Sequence, residues 1–399
     1  MTYDAVIAGA GIAGLYCGWK LAAAGMKVRI VDRRKRIGLP VYCGEATGSR
    51  AELARFMPVE ESWICRDVAG LTVHVNDAPP VARRLDDLGL VLHRDRFEQR
   101  LAEHANRAGA QITLERAVTG LSGTGPRYDG IILDKGETVR GTLIIGADGP
   151  ESRIGRLAGI TRVLAPSDAF SGAQYRLESD YCDDGTFHFF VGSETIPRGY
   201  IWVFPKDGGW ISAGAGFYGP ALPGVRALEL LDRFITDRIG ACRKEKLICG
   251  CVPLVVCPKR LHAGTVAVVG DAARQANPLT AGGIMNTLEA ADLLVGSLLK
   301  RRGRCGFDAA LAHYSRSWAQ GQRRIQFAFK YAQKLACTID DAETAALVRH
   351  IDTAFRMPID RTRPFTWPVP TMLRLFFLCS GIIFRRRFRS ADSPTTVSG

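Results

Sequence analysis

Gly9-Ala10-Gly11-Ile12-Ala13-Gly14 constrains the fold of this chain more than any other stretch. An apolar run, Tyr3–Ala8, precedes it, and Ile12–Ala24 follows with helical character. Lys27–Val31 then predicts a second strand, which stops at Asp32. Strand, glycine turn, helix and strand make a βαβ unit. Gly9 permits the tight turn, Gly11 lets backbone approach a pyrophosphate, and Gly14 lets helix and strand pack closely. The first helical turn, which includes Ala13, directs its N–H groups at phosphate charge. Asp32 stands where it can accept from ribose hydroxyls. Arg33 and Arg34 leave NADP open, so the motif predicts a dinucleotide without saying which one.

The 399 residues are enough for two or three structural units, and 47% hydrophobic with 23% charged residues excludes general disorder. The net charge of +13 favours acidic partners, such as an anionic membrane surface or phosphorylated small molecules. A solvated basic face accounts for the charge equally well. No nucleic-acid-binding motif accompanies it, so nucleic acid is not an expected partner. Met1–Ala8 runs directly into a strand without a secretory n-region, which leads to an expectation of a cytoplasmic protein with reduced thiols. Cys249, Cys251 and Cys257 lie close together but lack zinc-ligand spacing, and no metal site is expected.

Further along, Phe97–Arg107 predicts an amphipathic helix, and Gln111–Leu114, Thr142–Ile145 and Thr265–Val269 predict strands. Gly283–Leu299 reads as a long helix. Gly172–Arg176, Thr186–Val191, Tyr200–Phe204 and Trp210–Gly214 alternate like an antiparallel sheet. The expected fold is α/β: a Rossmann-type nucleotide domain, an inserted antiparallel β-sheet substrate domain, and a C-terminal helical region. The expected segments are 1–60, 92–160 and 262–304 for the first domain, and 61–91 and 161–261 for the second. Residues 305–389 follow as helices, with 390–399 as a frayed tail. Leu373–Phe384 is apolar, too short to span a bilayer, and followed by Arg385-Arg386-Arg387-Phe388-Arg389. Such a segment suits peripheral contact with the anionic face of a cytoplasmic membrane.

Two later signatures point to FAD. Gly146-Ala147-Asp148-Gly149 closes one buried strand. Gly270-Asp271-Ala272-Ala273 closes another, ahead of Asn277-Pro278-Leu279 and Gly282-Gly283-Ile284. Asp271 can accept from a ribityl hydroxyl, and Gly283 and Ile284 open a helix whose N–H groups can meet the cofactor. In order and separation these signatures resemble the flavoprotein superfamily that includes para-hydroxybenzoate hydroxylase, over roughly the first 300 residues. Arg94-Asp95-Arg96-Phe97 resembles its R-x-x-F segment. That resemblance implies that Arg94 reaches the flavin side, that the backbone near Val118 touches adenine, and that Asp148 belongs to the cofactor set.

Within that superfamily, Pro197-Arg198-Gly199-Tyr200-Ile201-Trp202-Val203-Phe204-Pro205 resembles the P-x-x-Y-x-W-x-F-P motif of the geranylgeranyl reductase family. Pro40-Val41-Tyr42-Cys43-Gly44-Glu45 resembles that family's P-V-x-C-x-E turn beside the flavin. The resemblance is strongest to the digeranylgeranylglycerophospholipid reductases. Ala46 departs from the Gly often found there, and Asp32 from a more usual Glu. The resemblance implies saturation of C=C bonds in a polyprenyl chain on a lipid, by hydride from flavin N5 with proton delivery to the other carbon. Tyr200, Trp202 and Phe204 alternate on one strand face and, with Pro205, form the expected wall for a prenyl chain. Cys43 is the candidate proton donor or pocket contact, and Glu45 a supporting acid or a brace of the turn. Cys43, Gly44 and Ala46 also belong to the expected cofactor contacts. The expected electron donor is NAD(P)H or a ferredoxin. The alternatives are a flavin monooxygenase or halogenase, a menaquinone side-chain reductase, and a non-catalytic prenyl carrier.

Overall fold

A computed structural model describes residues 2–354 apart from 126, 182–183, 221 and 301–305. The expected membrane-contact segment, Leu373–Arg389, and the tail lie outside the described residues. In chain order the strands are β1 (Thr2–Ala8), β2 (Val28–Val31), β3 (Ala46–Thr47), β4 (Ile64–Val75), β5 (Val81–Leu92), β6 (Gln111–Thr113), β7 (Val118–Thr124) and β8 (Arg127–Leu133). They continue with β9 (Thr138–Gly146), β10 (Ala169–Glu178), β11 (Thr186–Gly192), β12 (Ile196–Pro205), β13 (Trp210–Tyr218), β14 (Arg243–Pro253), β15 (His262–Ala263) and β16 (Val266–Val268). The helices are α1 (Ile12–Ala23), α2 (Arg50–Ala54), α3 (Arg94–Arg107), α4 (Arg153–Leu157) and α5 (Ala227–Phe234). After these come α6 (Ile284–Lys300), α7 (Gly306–Gln320), α8 (Gln322–Ala336) and α9 (Asp341–Ala354).

The first sheet runs β15-β16-β9-β1-β2-β6, parallel from β16 to β6, with β8 and β7 added antiparallel beside β9. Its central strands are apolar on both faces: Ala5, Val6, Ile7, Leu143, Ile144 and Ile145 are fully buried. Such runs are expected of parallel strands covered on each side. One side packs on α1, α3 and α6 through Leu15, Phe97 and Leu288. The other packs through Val6, Ile144 and Ile154 toward α4 and the β7–β8 hairpin. α3 starts at Arg94, three residues before the apolar pattern signalled it.

The second sheet runs β14-β10-β13-β12-β11-β4-β5-β3 and is antiparallel except at β11–β4. Residues 161–261 supply β10–β14, and 61–91 supply nearly all of β4 and β5. β3, which precedes residue 61, also joins this sheet, so the turn before it runs from one sheet into the other. Strand alternation sorts the side chains of β12 onto two faces. Ile201 and Val203 pack on Leu231, Phe234 and Ile235 around α5. Tyr200, Trp202 and Phe204 face the opposite way, among Phe170, Phe187 and Leu254.

On the neighbouring strands, His74 Nε2 and His188 Nδ1 approach to 3.2 Å beside Phe190. Burial, reinforced by His188 and Arg238, pushes His74 down to about 4. The unfolded chain therefore takes up a proton near pH ~6.5 that the folded chain refuses. This contribution is complete above that pH and is lost as pH falls toward 4. Denaturant unfolding should show stability falling between pH 7 and pH 5, with a shallower fall in His74→Gln. Equal slopes in the two proteins would contradict this account.

Candidate functional site

The βαβ turn has the shape its glycines require. Gly9 adopts φ +103°, and a methyl group on it would meet the Ala147 carbonyl oxygen at 2.2 Å. A methyl on Gly14 would strike the Gly9 carbonyl oxygen, whereas one on Gly11 would touch nothing within 4 Å. Helix α1 thus begins beneath open space, with Gly11 as an N-cap lacking a side-chain acceptor and with no acid in its first turn. Its unmet N–H groups and positive dipole end suit a pyrophosphate. Ala13 packs toward Gly270, where an added methyl would lie 3.3 Å away, and this ties the turn to the Asp271 segment.

Asp32 accepts from Ala10 N at 2.6 Å and from Arg34 N at 2.8 Å, and Arg34 Nε stands 3.1 Å from it. Burial alone would raise this carboxyl, but the Arg34 and Ala10 hydrogen bonds hold it below the usual carboxylate range. The segment leading to Val118 lies alongside, with Arg116 N donating to the Asp32 carbonyl at 3.0 Å. Asp148 has a local duty: it accepts from Ser152 Oγ, Arg153 N and Ile154 N and so anchors the start of α4. Burial pushes the Asp271 carboxyl up, and Arg94 and Arg274 oppose that rise. Asp271 faces Gly283, which with Ile284 opens α6.

The turn Cys43–Ala46 sits where the two sheets meet. Glu45 adopts φ +65°, a conformation costly for a residue with a side chain, and the surroundings hold it there. Its Oε2 accepts from Lys206 Nζ at 2.5 Å and its Oε1 from Arg94 N at 3.1 Å. The Lys206 side chain is 4% exposed and that of Glu45 13%, so solvent scarcely screens this pair. Cys43 Sγ accepts from Glu45 N at 3.2 Å, and the positive Arg94 guanidinium lies near enough to act on it electrostatically. Gln174 Nε2 donates to the Cys43 carbonyl at 2.7 Å. Glu45 therefore acts as the brace of this turn. Buried Glu98 joins the ends of the site, bonding Arg94 Nε at 3.1 Å and Arg34 Nη1 at 3.0 Å.

The aromatic ridge meets this turn. A methyl on Gly44 would stand 3.2 Å from Phe204 Cε2 and 3.4 Å from Trp202 Nε1. Tyr200 and Trp202 rings lie 5.8 Å apart, Trp202 and Phe204 6.5 Å, and Phe170 stacks on Tyr200 at 4.8 Å. Trp202 lies across Gly214, where a Cβ would come within 2.1 Å of the ring. Loop residues Leu279 and Thr280 meet the ridge through carbonyls that accept from Tyr218 and Tyr200 hydroxyls. Half-buried Phe189, Tyr218 and Val252 extend the apolar surface, and Pro205 ends the ridge strand next to Lys206. Trp202 Nε1 is buried without a partner, a donor left available to a ligand. The open space over Gly11 and the uncapped α1 start fit a bound dinucleotide-type cofactor.

Four of these residues escaped sequence reading: Lys206, Glu98, Gln174 and Arg34 as partner of Asp32. Two signals were available. Lys206 directly follows the aromatic motif, and Glu98 stands four residues after Arg94 on α3.

Comparison with known proteins agrees with this geometry. An FAD binding domain family matches residues 2–194, and a geranylgeranyl reductase catalytic domain family matches residues 168–255. A digeranylgeranylglycerophospholipid reductase of Methanosarcina mazei is 34% identical over 73% of this chain and 74% of its own length. The one from Methanothrix thermoacetophila is 35% identical over 80% and 84%. A solved geranylgeranyl bacteriochlorophyll reductase-like protein from Thermoplasma acidophilum superposes with TM-score 0.82 at 26% identity, covering 94% of this chain and 95% of that one. A probable FAD-dependent monooxygenase from Pseudomonas aeruginosa reaches 0.66 at 18% identity, covering 88% and 100%, and shares the fold alone.

Lys206→Met would strand the Glu45 carboxylate in the interior. Denaturation of the FAD-loaded variant should show a loss of about 3 kcal/mol or more, since removing one partner of a buried pair leaves an uncompensated charge. Lys206→Met combined with Glu45→Leu should recover most of it. No recovery would mean the pair is not what holds the turn.

Proposed function

This chain belongs to the geranylgeranyl reductase family of FAD-dependent oxidoreductases, and from that premise we propose that its substrate is a glycerophospholipid carrying geranylgeranyl chains. Reduction of polyprenyl double bonds with FAD is the family's activity and this chain's. The observation that carries the finer reading is the aromatic ridge pressed against the Cys43–Ala46 turn, which puts an apolar wall beside the cofactor side of the molecule.

The α1 start with Gly9, Gly11, Ala13 and Gly14, together with Asp32, would hold the nucleotide half. Arg94, Asp271, Gly283 and Ile284 would hold the flavin half. Backbone near Val118 would lie along the adenine, and Asp148 supports this set through the α4 start. FAD, when bound, supplies the hydride. Tyr200, Trp202, Phe204 and Pro205 orient the hydrocarbon and exclude water. Their negative ring faces favour positive charge developing on an alkene carbon. Cys43 Sγ delivers the proton. The Glu45 N–H points at that sulfur, and the charge of nearby Arg94 favours the anion left on it.

Anaerobic incubation of the dithionite-reduced holoprotein with such a lipid should add two hydrogens per double bond, read by mass spectrometry. Oxygen uptake with a hydroxylated product would overturn the reading. Cys43→Ser should bind FAD normally and turn over about 10²-fold more slowly, and an unchanged rate would remove Cys43 from the proton transfer.

Electrons would come from NAD(P)H bound in passing or from a ferredoxin; the charge of +13 supports an acidic protein donor and an anionic bilayer alike. Peripheral membrane contact has further support in α8. Phe327 and Tyr331 are 51% and 42% exposed there, beside Arg323, Arg324, Lys330 and Lys334, and α8 contains no acid. No described helix is long and apolar enough to cross a bilayer. The protein should float with vesicles containing anionic lipid and not with neutral ones, and Phe327→Ser/Tyr331→Ser should weaken flotation several-fold. Undiminished flotation of that variant would remove α8 from the contact.

A further inference from the structure

Away from the cofactor turn, three side chains with different metal-binding atoms converge where β4, the start of α3 and the β12–β13 turn meet. Cys65 Sγ lies 3.3 Å from Asp207 Oδ1, and His93 Nε2 lies 3.1 Å from Asp207 Oδ2. All three ligand atoms fall within 4.8 Å of one another. We propose that Cys65, His93 and Asp207 form a binding site for a divalent transition metal of the zinc class.

The donor set supports this choice. One thiolate, one imidazole and one carboxylate suit zinc and exclude calcium or magnesium, which take oxygen ligands alone. Bond lengths of about 2.0–2.3 Å put neighbouring ligands on a tetrahedral zinc roughly 3.2–3.7 Å apart, and the three ligand atoms here lie within 4.8 Å of one another, with the two Asp207 oxygens turned separately to Cys65 and His93. Small side-chain rotations would therefore seat the ion. The backbone already fixes two of the ligands. His93 N donates to the Trp63 carbonyl at 2.9 Å, and Asp207 N donates to Cys65 Sγ at 3.4 Å. Cys65 is buried while the Asp207 side chain is 52% exposed, which leaves the fourth position to water. Burial pushes the Cys65 thiol up to about 11, so the metal replaces a proton at the sulfur. That proton leaves to solvent, and His93 offers Nε2 as its ligand atom. Lys206 is the nearby cation, and its charge is already matched by Glu45.

The position gives the site a consequence. His93 precedes Arg94, which lies near Cys43, and Asp207 follows Lys206, which holds Glu45. A bound ion would tie together the backbone on which both of these residues are mounted.

The test uses FAD-loaded protein stripped with a chelator and dialysed against stoichiometric zinc. Mass spectrometry of the metal should find one zinc per chain, and zinc K-edge absorption should show one sulfur near 2.3 Å with nitrogen or oxygen near 2.0 Å. Cys65→Ala, His93→Ala and the surface change Asp207→Asn should each weaken binding at least tenfold while retaining flavin absorbance. Exposed Cys249 and Cys251 on β14 are the competing ligands, and Cys249→Ser/Cys251→Ser should leave binding intact. Failure to retain zinc overturns the proposal. So does zinc that survives the Cys65, His93 and Asp207 substitutions, or zinc lost with Cys249 and Cys251.

Discussion

The largely enclosed carboxylate of Glu45 links the two halves of this molecule. One oxygen is held by Lys206 at the end of the aromatic strand, and the other by the backbone of Arg94 at the start of α3. The backbone at Glu45 is left-handed, so the turn depends on these contacts to persist. Cys43 and Gly44 lie within the same turn. The thiol's position against Arg94, and the approach of Gly44 to Trp202 and Phe204, both follow from where Glu45 is anchored. A surface ion pair could not do this, because screening and side-chain entropy would cancel most of its strength. Burial makes the pair costly to assemble and costly to break.

The aromatic ridge depends in turn on what lies under it. The Tyr200 and Trp202 rings fit because β13 sets Gly216 and Gly214 opposite them, with Gly172 beyond on β10, whereas Phe204 stands opposite Ser212. Trp202 occupies volume that any side chain at Gly214 would claim. The other face of β12 carries Ile201 and Val203 against α5, an ordinary aliphatic core. One strand thus carries an aliphatic face on one side and an aromatic face on the other. The same fold occurs in a flavin-dependent brominase at 16% identity with TM-score 0.68, so the architecture alone does not select the reaction. The geranylgeranyl reductase catalytic domain match, residues 168–255, includes the aromatic ridge.

Local signals were read well and distant ones poorly. The strand–glycine–helix unit, the aromatic alternation and the α6 start are each written within about a dozen neighbouring residues, so periodicity and turn chemistry expose them. The resemblance implies Asp148 in the cofactor set, and its carboxylate also accepts from the start of α4, five residues further on, a contact that the motif does not announce. The sequence leaves Glu45 open between acid and brace, and its contacts with Lys206 and the Arg94 backbone span the turn. Lys206 meets Glu45 across 161 residues and Gln174 meets Cys43 across 131, separations over which no pattern in the chain carries information. The Cys65–His93–Asp207 cluster is hidden for the same reason, being spread over 142 residues with no metal-ligand spacing.

The sequence by itself determined the dinucleotide turn, the family, and the residues that form an aromatic face. These rest on backbone conformations that only glycine tolerates and on the two-residue period of a strand, both local properties of the chain. The tertiary structure alone decided which way that face looks and what braces Cys43. It also brought Arg94 and Arg34, both half-buried, onto the buried carboxylate of Glu98. Those outcomes depend on how two sheets meet, and the free energy of burying paired charges appears only once distant segments have closed around them.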